Sequence, residues 1–227
     1  MRPAETGNQR LTALLTASDF APHDALAAVL LDHATEGDDG SHDLAHIHRV
    51  FRNALKIQAG EGGDAEILAA AVLLHDCVAV EKSSPLRSQA SRLAAEKASD
   101  ILAALGWPKE RIEAVAHAIL THSFSANIKP ETLEAKMLQD ADRLDAIGMV
   151  GVARCFYIAG RMGSGLYHPG DPGAEQRPLD DRSYAIDHFP AKLLKLSDGF
   201  QTATGRKLAE ERHERLNLFL TLFRDEI

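Results

Sequence analysis

Aromatic residues, cysteines and long apolar runs are scarce in this 227-residue chain, and each scarcity excludes a class of protein. Phe, Trp and Tyr make up 5% of the residues, and no stretch alternates polar and apolar residues as half-buried strands do. The two cysteines, Cys77 and Cys155, are too few and too far apart for a disulfide framework or a cysteine zinc site. No apolar run approaches the roughly 18 residues that a membrane span requires.

Basic residues are also fewer than acidic residues. The chain has 25 basic and 33 acidic residues, which leaves a net charge of −8 and argues against binding to nucleic acid polymers or to an anionic membrane. A phosphate-bearing ligand would therefore need a bound cation or a few placed lysines and arginines. The first residues, MRPAETGNQR, lack the apolar region of a signal peptide, so we expect a cytoplasmic protein. The oligomeric state stays open, a homodimer included.

Alanine and leucine are abundant, and their spacing is helical throughout. The sequence therefore predicts an all-α, single-domain fold, in which residues 1–20 form an extension, helical over 9–17, and residues 21–227 form the domain. The glycine- and proline-rich segment 163–181 is expected to be irregular, and Ser41 and Asp64 are expected to cap helices. The predicted helices cover 23–34, 42–59, 65–77, 89–105, 109–121, 131–160, 185–197 and 206–225.

A histidine and an aspartate adjoin at the end of the most apolar segment, AAAVLLHDCVAV at 69–80. A buried carboxylate is costly unless it is paired or binds a metal, and His75 beside Asp76 favours a metal. His46 and Asp142, on apolar faces of two other predicted helices, could complete a mixed nitrogen and oxygen site for a divalent ion. A hydrogen-bonded core histidine with a capping carboxylate explains the same pair without a metal.

A zinc peptidase is a second interpretation of one of these residues. The segment HDLAH at 42–46 spaces His42 and His46 as in the peptidase pattern H-E-x-x-H. Asp43, however, occupies the position of the glutamate that acts as general base. Its side chain is about one methylene too short to reach a zinc-bound water, which argues against a peptidase.

The ordered series His46 in HIHRV, His75-Asp76 in LLHDC and Asp142 in DADRLDAIG resembles the H…HD…D signature of the HD superfamily of metal-dependent phosphohydrolases. AILTHSFS and DHFPAKLLKL extend the resemblance to a subgroup of bacterial HD-domain proteins, the YedJ-like predicted phosphohydrolases. The resemblance covers most of the chain and implies that these four residues bind one divalent cation, such as Mn, Mg, Ni, Fe or Zn. Asp142 rather than Asp140 matches the family's A-D-R-L context.

The resemblance implies hydrolysis of a small phosphate compound, such as a nucleotide, by attack of metal-bound water on phosphorus. Asp76 is then expected to accept a proton, and His122, in THSFS at a helix end, to face the pocket as an acid or a phosphate donor. Lys82, Arg87 and Lys192 are expected to bind phosphate. A nucleotide pyrophosphohydrolase, a cyclic-nucleotide phosphodiesterase and a non-catalytic nucleotide sensor remain alternatives.

Two other polar residues near these motifs are expected to have structural or supporting roles. His117 is expected to be structural, because it lies roughly 140° around the helix axis from His122. Asp145 shares a helix face with Asp142 and is expected either to orient a site residue or to pair with Arg143 or Lys136.

Two further positions bear on function. Some HD phosphohydrolases carry an acidic residue three or four positions after the His-Asp pair, where this chain has Ala79 and Val80. That difference argues against a 5′-nucleotidase that depends on such an acid. The later pair Asp187-His188 is expected only to cap a helix.

Overall fold

The computed structural model describes residues 15–35, 43–80, 87–123 and 127–227. Across these residues the regular structure is helical, apart from an isolated β-bridge between Gly165 and Tyr184, which confirms the all-α prediction. None of the described helices is both long enough and apolar enough to span a membrane. The chain divides into two compact units, Met1–Asp142 and Arg143–Ile227. The division into an extension over 1–20 and a domain over 21–227 stays a prediction.

The first unit is built around an apolar helix, α3. Its residues from Leu68 to Leu74 are all buried, and it packs against α1, α2, α4 and α5. Asp64 caps it as predicted, because its side chain accepts hydrogen bonds from the backbone N–H groups of Glu66 and Ile67, both at 3.0 Å. The helices of this unit are α1 (Asp24–Leu30), α2 (Leu44–Glu61), α3 (Ala65–Leu74), α4 (Ala90–Ala104), α5 (Lys109–His122) and α6 (Leu133–Asp145), which ends three residues beyond it.

Helix α2 begins at Leu44, two residues later than predicted. Its cap is Asp43, whose carboxylate accepts a 2.9 Å hydrogen bond from the backbone N–H of His46. The predicted cap, Ser41, lies outside the described residues, as does most of the helix predicted over 9–17. The helix has a buried apolar face, which consists of Ile47, Val50, Phe51, Ala54 and Ile57.

The second unit continues from the last turn of α6 and packs α7 against α9. Its aromatic core joins these helices, with Phe156 of α7 in edge contact with Phe219 of α9, and Phe219 stacked on Phe189. Thr202 caps α9 by accepting a 2.9 Å bond from Gly205, so that helix begins before the predicted residue 206. The α-helices of this unit are α7 (Gly148–Met162), α8 (His188–Ala191) and α9 (Ala203–Asp225).

The single helix predicted over 131–160 is wrong. The chain forms α6 and α7 instead, with a break at Ala146 and Ile147. Gly148 adopts φ +71°, a left-handed conformation that L side chains rarely occupy. At Gly151 a Cβ atom would overlap the backbone carbonyl of Ala146, so only glycine lets α7 start this close to the end of α6.

The irregular segment predicted over 163–181 is confirmed, but the helix predicted over 185–197 is not continuous. It consists of the short helices Ala185–Asp187, His188–Ala191 and Leu193–Lys195. Asp187 makes no side-chain capping bond and is almost fully buried. Its carboxylate is bound by the guanidinium of Arg177, with one bond of 2.8 Å, and accepts a 2.7 Å bond from the backbone N–H of Asp180. The capping role predicted for Asp187 is therefore wrong.

Candidate metal site

The predicted ligands come from three parts of the first unit. His46 lies in the first turn of α2, and His75 and Asp76 follow the last residue of α3. Asp142 lies in the last turn of α6. The two histidines are almost completely buried, whereas the carboxylate side chains are 22% and 30% exposed. The cluster therefore has a buried imidazole side and a carboxylate side that solvent or substrate can reach.

The donor atoms converge. Nε2 of His46 lies 3.5 Å from an oxygen of Asp76 and 3.5 Å from an oxygen of Asp142. Nε2 of His75 lies 3.6 Å from the same oxygen of Asp76. Two ligand atoms that each bind an ion at about 2.1 Å, at a tetrahedral angle, lie about 3.4 Å apart. The donor atoms that lie within 4.8 Å of one another form two groups that share His75, namely His46, His75 and Asp142, and His75, Asp76 and His122. The spacing within each group is compatible with a small divalent cation.

The ring of His75 has the tautomer that a metal ligand requires, with the lone pair on Nε2 directed to the cluster. Its Nδ1 lies 2.7 Å from the carbonyl oxygen of Val72, and because a carbonyl only accepts, Nδ1 carries the hydrogen. Nε2 is buried and has no hydrogen-bond partner among the described residues. Burial lowers the pKa of His75 below its usual value, against the opposing charge of Asp76, so the ring is neutral at neutral pH. A buried lone pair without a donor is what a metal would satisfy.

His122 ends α5 beside the same cluster. Its ring centroid lies 5.0 Å from that of His75, and it can present a nitrogen within 4.8 Å of the donor atoms of His75 and Asp76. Its Nδ1 lies 2.6 Å from the carbonyl oxygen of Ile119, so Nε2 is the nitrogen left to face the site. The structure thus brings His122 to the cluster, where it could move a proton or bind a cation.

Two polar groups close in sequence to these residues make contacts of their own. Nε2 of His117 accepts a 3.1 Å hydrogen bond from the backbone N–H of Glu131, which is a structural contact. Asp145 is 1% exposed and forms a 2.6 Å ion pair with Arg154 of α7. This partner differs from the two predicted ones, Arg143 and Lys136, because the break after α6 brings α7 back against Asp145.

The residues predicted to bind phosphate are only partly described. Lys82 lies outside the described residues. Arg87 begins a short 3₁₀ helix, Arg87–Gln89, and its side chain lies outside the described part of the chain. Lys192 belongs to the second unit and is exposed.

A lysine that the sequence does not single out supports the His-Asp segment. Nζ of Lys97, on α4, donates a 2.9 Å hydrogen bond to the carbonyl of Cys77, directly after Asp76. The thiol of Cys77 in turn donates to the carbonyl of Ala94 at 3.4 Å. A cation here also opposes the negative end of the α3 dipole. Nothing in the local sequence indicates this contact, because 20 residues separate its partners.

Comparison with known proteins identifies related chains. The family model described as HD domain matches residues 43–147. The uncharacterized protein YpgQ of Bacillus subtilis (strain 168) is 37% identical over 194 residues, which cover 84% of this chain and 86% of YpgQ. The crystal structure of B. subtilis YpgQ in complex with ADP covers 90% of this chain and 97% of its own, with a TM-score of 0.67 and 35% identity. An HD-superfamily hydrolase from Bacillus thuringiensis, BT9727_1981, is 30% identical, with coverages of 96% and 97% and a TM-score of 0.66.

Proposed function

Since this chain belongs to the HD superfamily, we propose that it is a metal-dependent phosphohydrolase that acts on a small phosphate compound, a nucleotide in the first instance. The observation that carries the proposal is the convergence of two imidazoles and two carboxylates around the buried Nε2 of His75. A cluster that served only as an ion pair would not explain why Nε2 of His75 is buried without a hydrogen-bond donor among the described residues.

His46, His75, Asp76 and Asp142 would hold one divalent cation of the Mn, Mg, Ni, Fe or Zn type. Such an ion, when bound, supplies the positive charge that acidifies water and polarises a phosphoryl oxygen. The two carboxylates would offset the charge of a divalent ion, and the two imidazoles would bind it through nitrogen lone pairs. The mixed donor set does not select one metal among these.

The protein's own groups would handle the protons and the phosphate. Asp76 is partly exposed and could accept the proton of the attacking water at a carboxylate oxygen. His122 could release a proton from Nε2 to the leaving oxygen, while its other nitrogen stays bound to a carbonyl. Lys82 and Arg87, which belong to the same unit as the cluster, would offset negative charge on the phosphoryl oxygens. A phosphate-binding role for Lys192 stays a prediction.

A nucleotide substrate is supported by a relative. B. subtilis YpgQ was crystallised in complex with ADP, so a protein of this fold and 35% identity accommodates a nucleoside diphosphate. A polyphosphate chain offers two positions of attack. Cleavage at the terminal phosphorus releases phosphate, whereas cleavage of a nucleoside triphosphate at its inner phosphorus releases pyrophosphate, as the pyrophosphohydrolase alternative requires. A cytoplasmic location and a homodimer stay predictions.

A metal-reconstitution assay tests the proposal. The protein is stripped with a chelator, reloaded with Mn²⁺, Mg²⁺ or Ni²⁺, and incubated with nucleoside mono-, di- and triphosphates and cyclic nucleotides. Phosphate and pyrophosphate are measured separately. We expect metal-dependent release of one of them. Binding of Mn²⁺ and nucleotide with no product from any member of the panel would instead favour the sensor alternative.

Ligand variants test the metal assignment. His75→Ala and Asp76→Ala should each abolish bound metal, because each removes a donor atom from the centre of the cluster, and should leave helicity intact. Elemental analysis and circular dichroism measure the two quantities. His117→Ala, which removes an imidazole of α5 that is hydrogen-bonded to the backbone of Glu131, should keep its metal. Full metal occupancy in either ligand variant would refute the assignment.

A further inference from the structure

Two amide side chains are buried close to the proposed metal site. Asn53 of α2 is 4% exposed and Gln139 of α6 is 6% exposed. Burying an amide is unfavourable unless its polar atoms find partners, so each position calls for a specific contact. Both contacts are made to a backbone carbonyl of a different helix.

Both contacts involve helix α6, which carries Asp142. Nδ2 of Asn53 donates a 3.0 Å hydrogen bond to the carbonyl of Ala141, the residue directly before Asp142. Nε2 of Gln139, three residues before Asp142, donates a 2.9 Å bond to the carbonyl of Thr121 on α5. That carbonyl lies in the last turn of α5, where it has no partner within its own helix. Helix α6 is thus fixed to α2 on one side and to α5 on the other.

The positions of these bonds matter for the carboxylate of Asp142. The Ala141 carbonyl belongs to the peptide group that ends at the Cα atom of Asp142. Side chains on a helix extend about 5 Å from its axis, so a rotation of α6 by about 15° would move the carboxylate by about 1.3 Å. The oxygen now lies 3.5 Å from Nε2 of His46, and a shift of that size would take it out of ligand geometry.

We propose that Asn53 and Gln139 are positioning residues, which set the rotation of α6 so that Asp142 reaches the cation held by the two histidines. The inference rests on the proposed function, since it requires a metal at this site. It assigns a role in metal affinity to two amides that contribute no donor atom to the cluster. The α2-to-α6 bond connects the helix of His46 directly to the helix of Asp142.

A titration with Mn²⁺ alone, followed by calorimetry, tests the inference without any substrate. Asn53→Leu and Gln139→Met replace each amide with an apolar side chain of similar volume, which limits the packing change. We expect each variant to bind Mn²⁺ about 10-fold more weakly than the natural protein, as is typical when a group that orients a ligand is lost. Leu102→Ala, in the core of α4, is the control: it should lower Tm and leave the affinity unchanged.

A double-mutant cycle separates positioning from general destabilisation. If Asn53 acts through Asp142, then Asn53→Leu should cause no further loss of affinity in a chain that already carries Asp142→Asn. Should Asn53→Leu fail to fold, Asn53→Ser, whose hydroxyl is too short to reach Ala141, replaces it in the cycle. Gln139→Met is measured against Asp142→Asn in the same way.

The outcomes are distinct. If the natural protein bound none of Mn²⁺, Mg²⁺, Ni²⁺, Fe²⁺ and Zn²⁺, the proposed function would be overturned and this inference with it. Normal binding by the natural protein and by both amide variants would overturn the inference alone. A loss of affinity that persists in the Asp142→Asn background would show that the amides act elsewhere, and it would also overturn the inference.

Discussion

His75 and His122 each follow the apolar part of a helix, and each donates its Nδ1 hydrogen to the carbonyl three residues earlier. The same local contact leaves Nε2 of both rings directed to one space, with centroids 5.0 Å apart. The two residues differ in their proposed work. His75 belongs to both groups of donors that could hold a metal, and we propose it as a ligand. His122 belongs to one of those groups, and we propose that it exchanges a proton.

The role of His122 gives a prediction at this scale. His122→Ala should retain bound Mn²⁺ but lower kcat for the nucleotide found in the assay by at least about 100-fold, because a general acid typically contributes that much. Metal content and steady-state kinetics measure the two effects. His117→Ala, which removes the imidazole five residues earlier, should change neither. Loss of metal from His122→Ala would make it a ligand rather than an acid.

The sequence could predict which four residues the fold brings together, because each lies in an ordered motif on an apolar face. It could not predict the partner of Asp145. On a continuous helix its neighbours are three or four residues away, and Arg143 and Lys136 were the nearby cations. The observed partner, Arg154, is nine residues later and reaches Asp145 only because the chain turns between α6 and α7.

At the scale of elements, the break between α6 and α7 depends on glycine. Gly151→Ala should lower the free energy of unfolding by about 1–3 kcal/mol, because the new methyl would overlap the carbonyl of Ala146 and force the backbone apart. Gly160 is the matched control: it lies in the same helix with no atom within 4 Å of a Cβ. Gly160→Ala should raise stability by about 0.5–1 kcal/mol.

Chemical denaturation of the two variants measures these changes. Equal effects of the two substitutions would contradict the steric account of the break.

The contrast between the two glycines also shows why the break was not predicted. Both glycines occupy positions in an otherwise helical apolar pattern, and the difference between them is the distance to a backbone carbonyl that only the folded chain brings close. Helix ends with local signals are predicted well, such as the Asp64 cap of α3 and the end of α4 at Ala104, one residue before the predicted end.

The irregular segment of the second unit is held by a buried ion pair, which gives a pH prediction. Burial favours protonated Asp187, but hydrogen bonds from Arg177 and from the backbone of Asp180 outweigh it and hold the pKa of Asp187 below its usual value. A depressed carboxyl pKa stabilises the folded protein above about pH 4 and loses that effect as the pH falls further.

Asp187→Asn should therefore destabilise the protein by about 3 kcal/mol at pH 7, because it leaves the Arg177 guanidinium without its carboxylate. The difference from the natural protein should shrink as the pH is lowered below about 4. Denaturant unfolding across this pH range measures it. A difference that stays constant down to pH 2 would contradict the linkage to Asp187.

At the scale of the whole molecule, every proposed ligand lies in the first unit, from His46 to Asp142. A cation that binds only the folded cluster must stabilise the protein by mass action. Mn²⁺ at 100 times its Kd should raise the free energy of unfolding by about 2.7 kcal/mol. Thermal unfolding with and without the ion measures the effect, and His75→Ala should remove it. An equal rise in that variant would place the stabilising ion elsewhere.

The bonds from His75 and His122 to main-chain carbonyls also have a consequence for how the site tolerates mutation. Every residue has a carbonyl, so the side chains at Val72 and Ile119 can change without altering which nitrogen of each ring is protonated. The orientation of the two imidazoles therefore depends on the residue at which each helix ends. An inserted or deleted residue near the end of α3 or α5 would therefore damage the site more than most substitutions at the same positions.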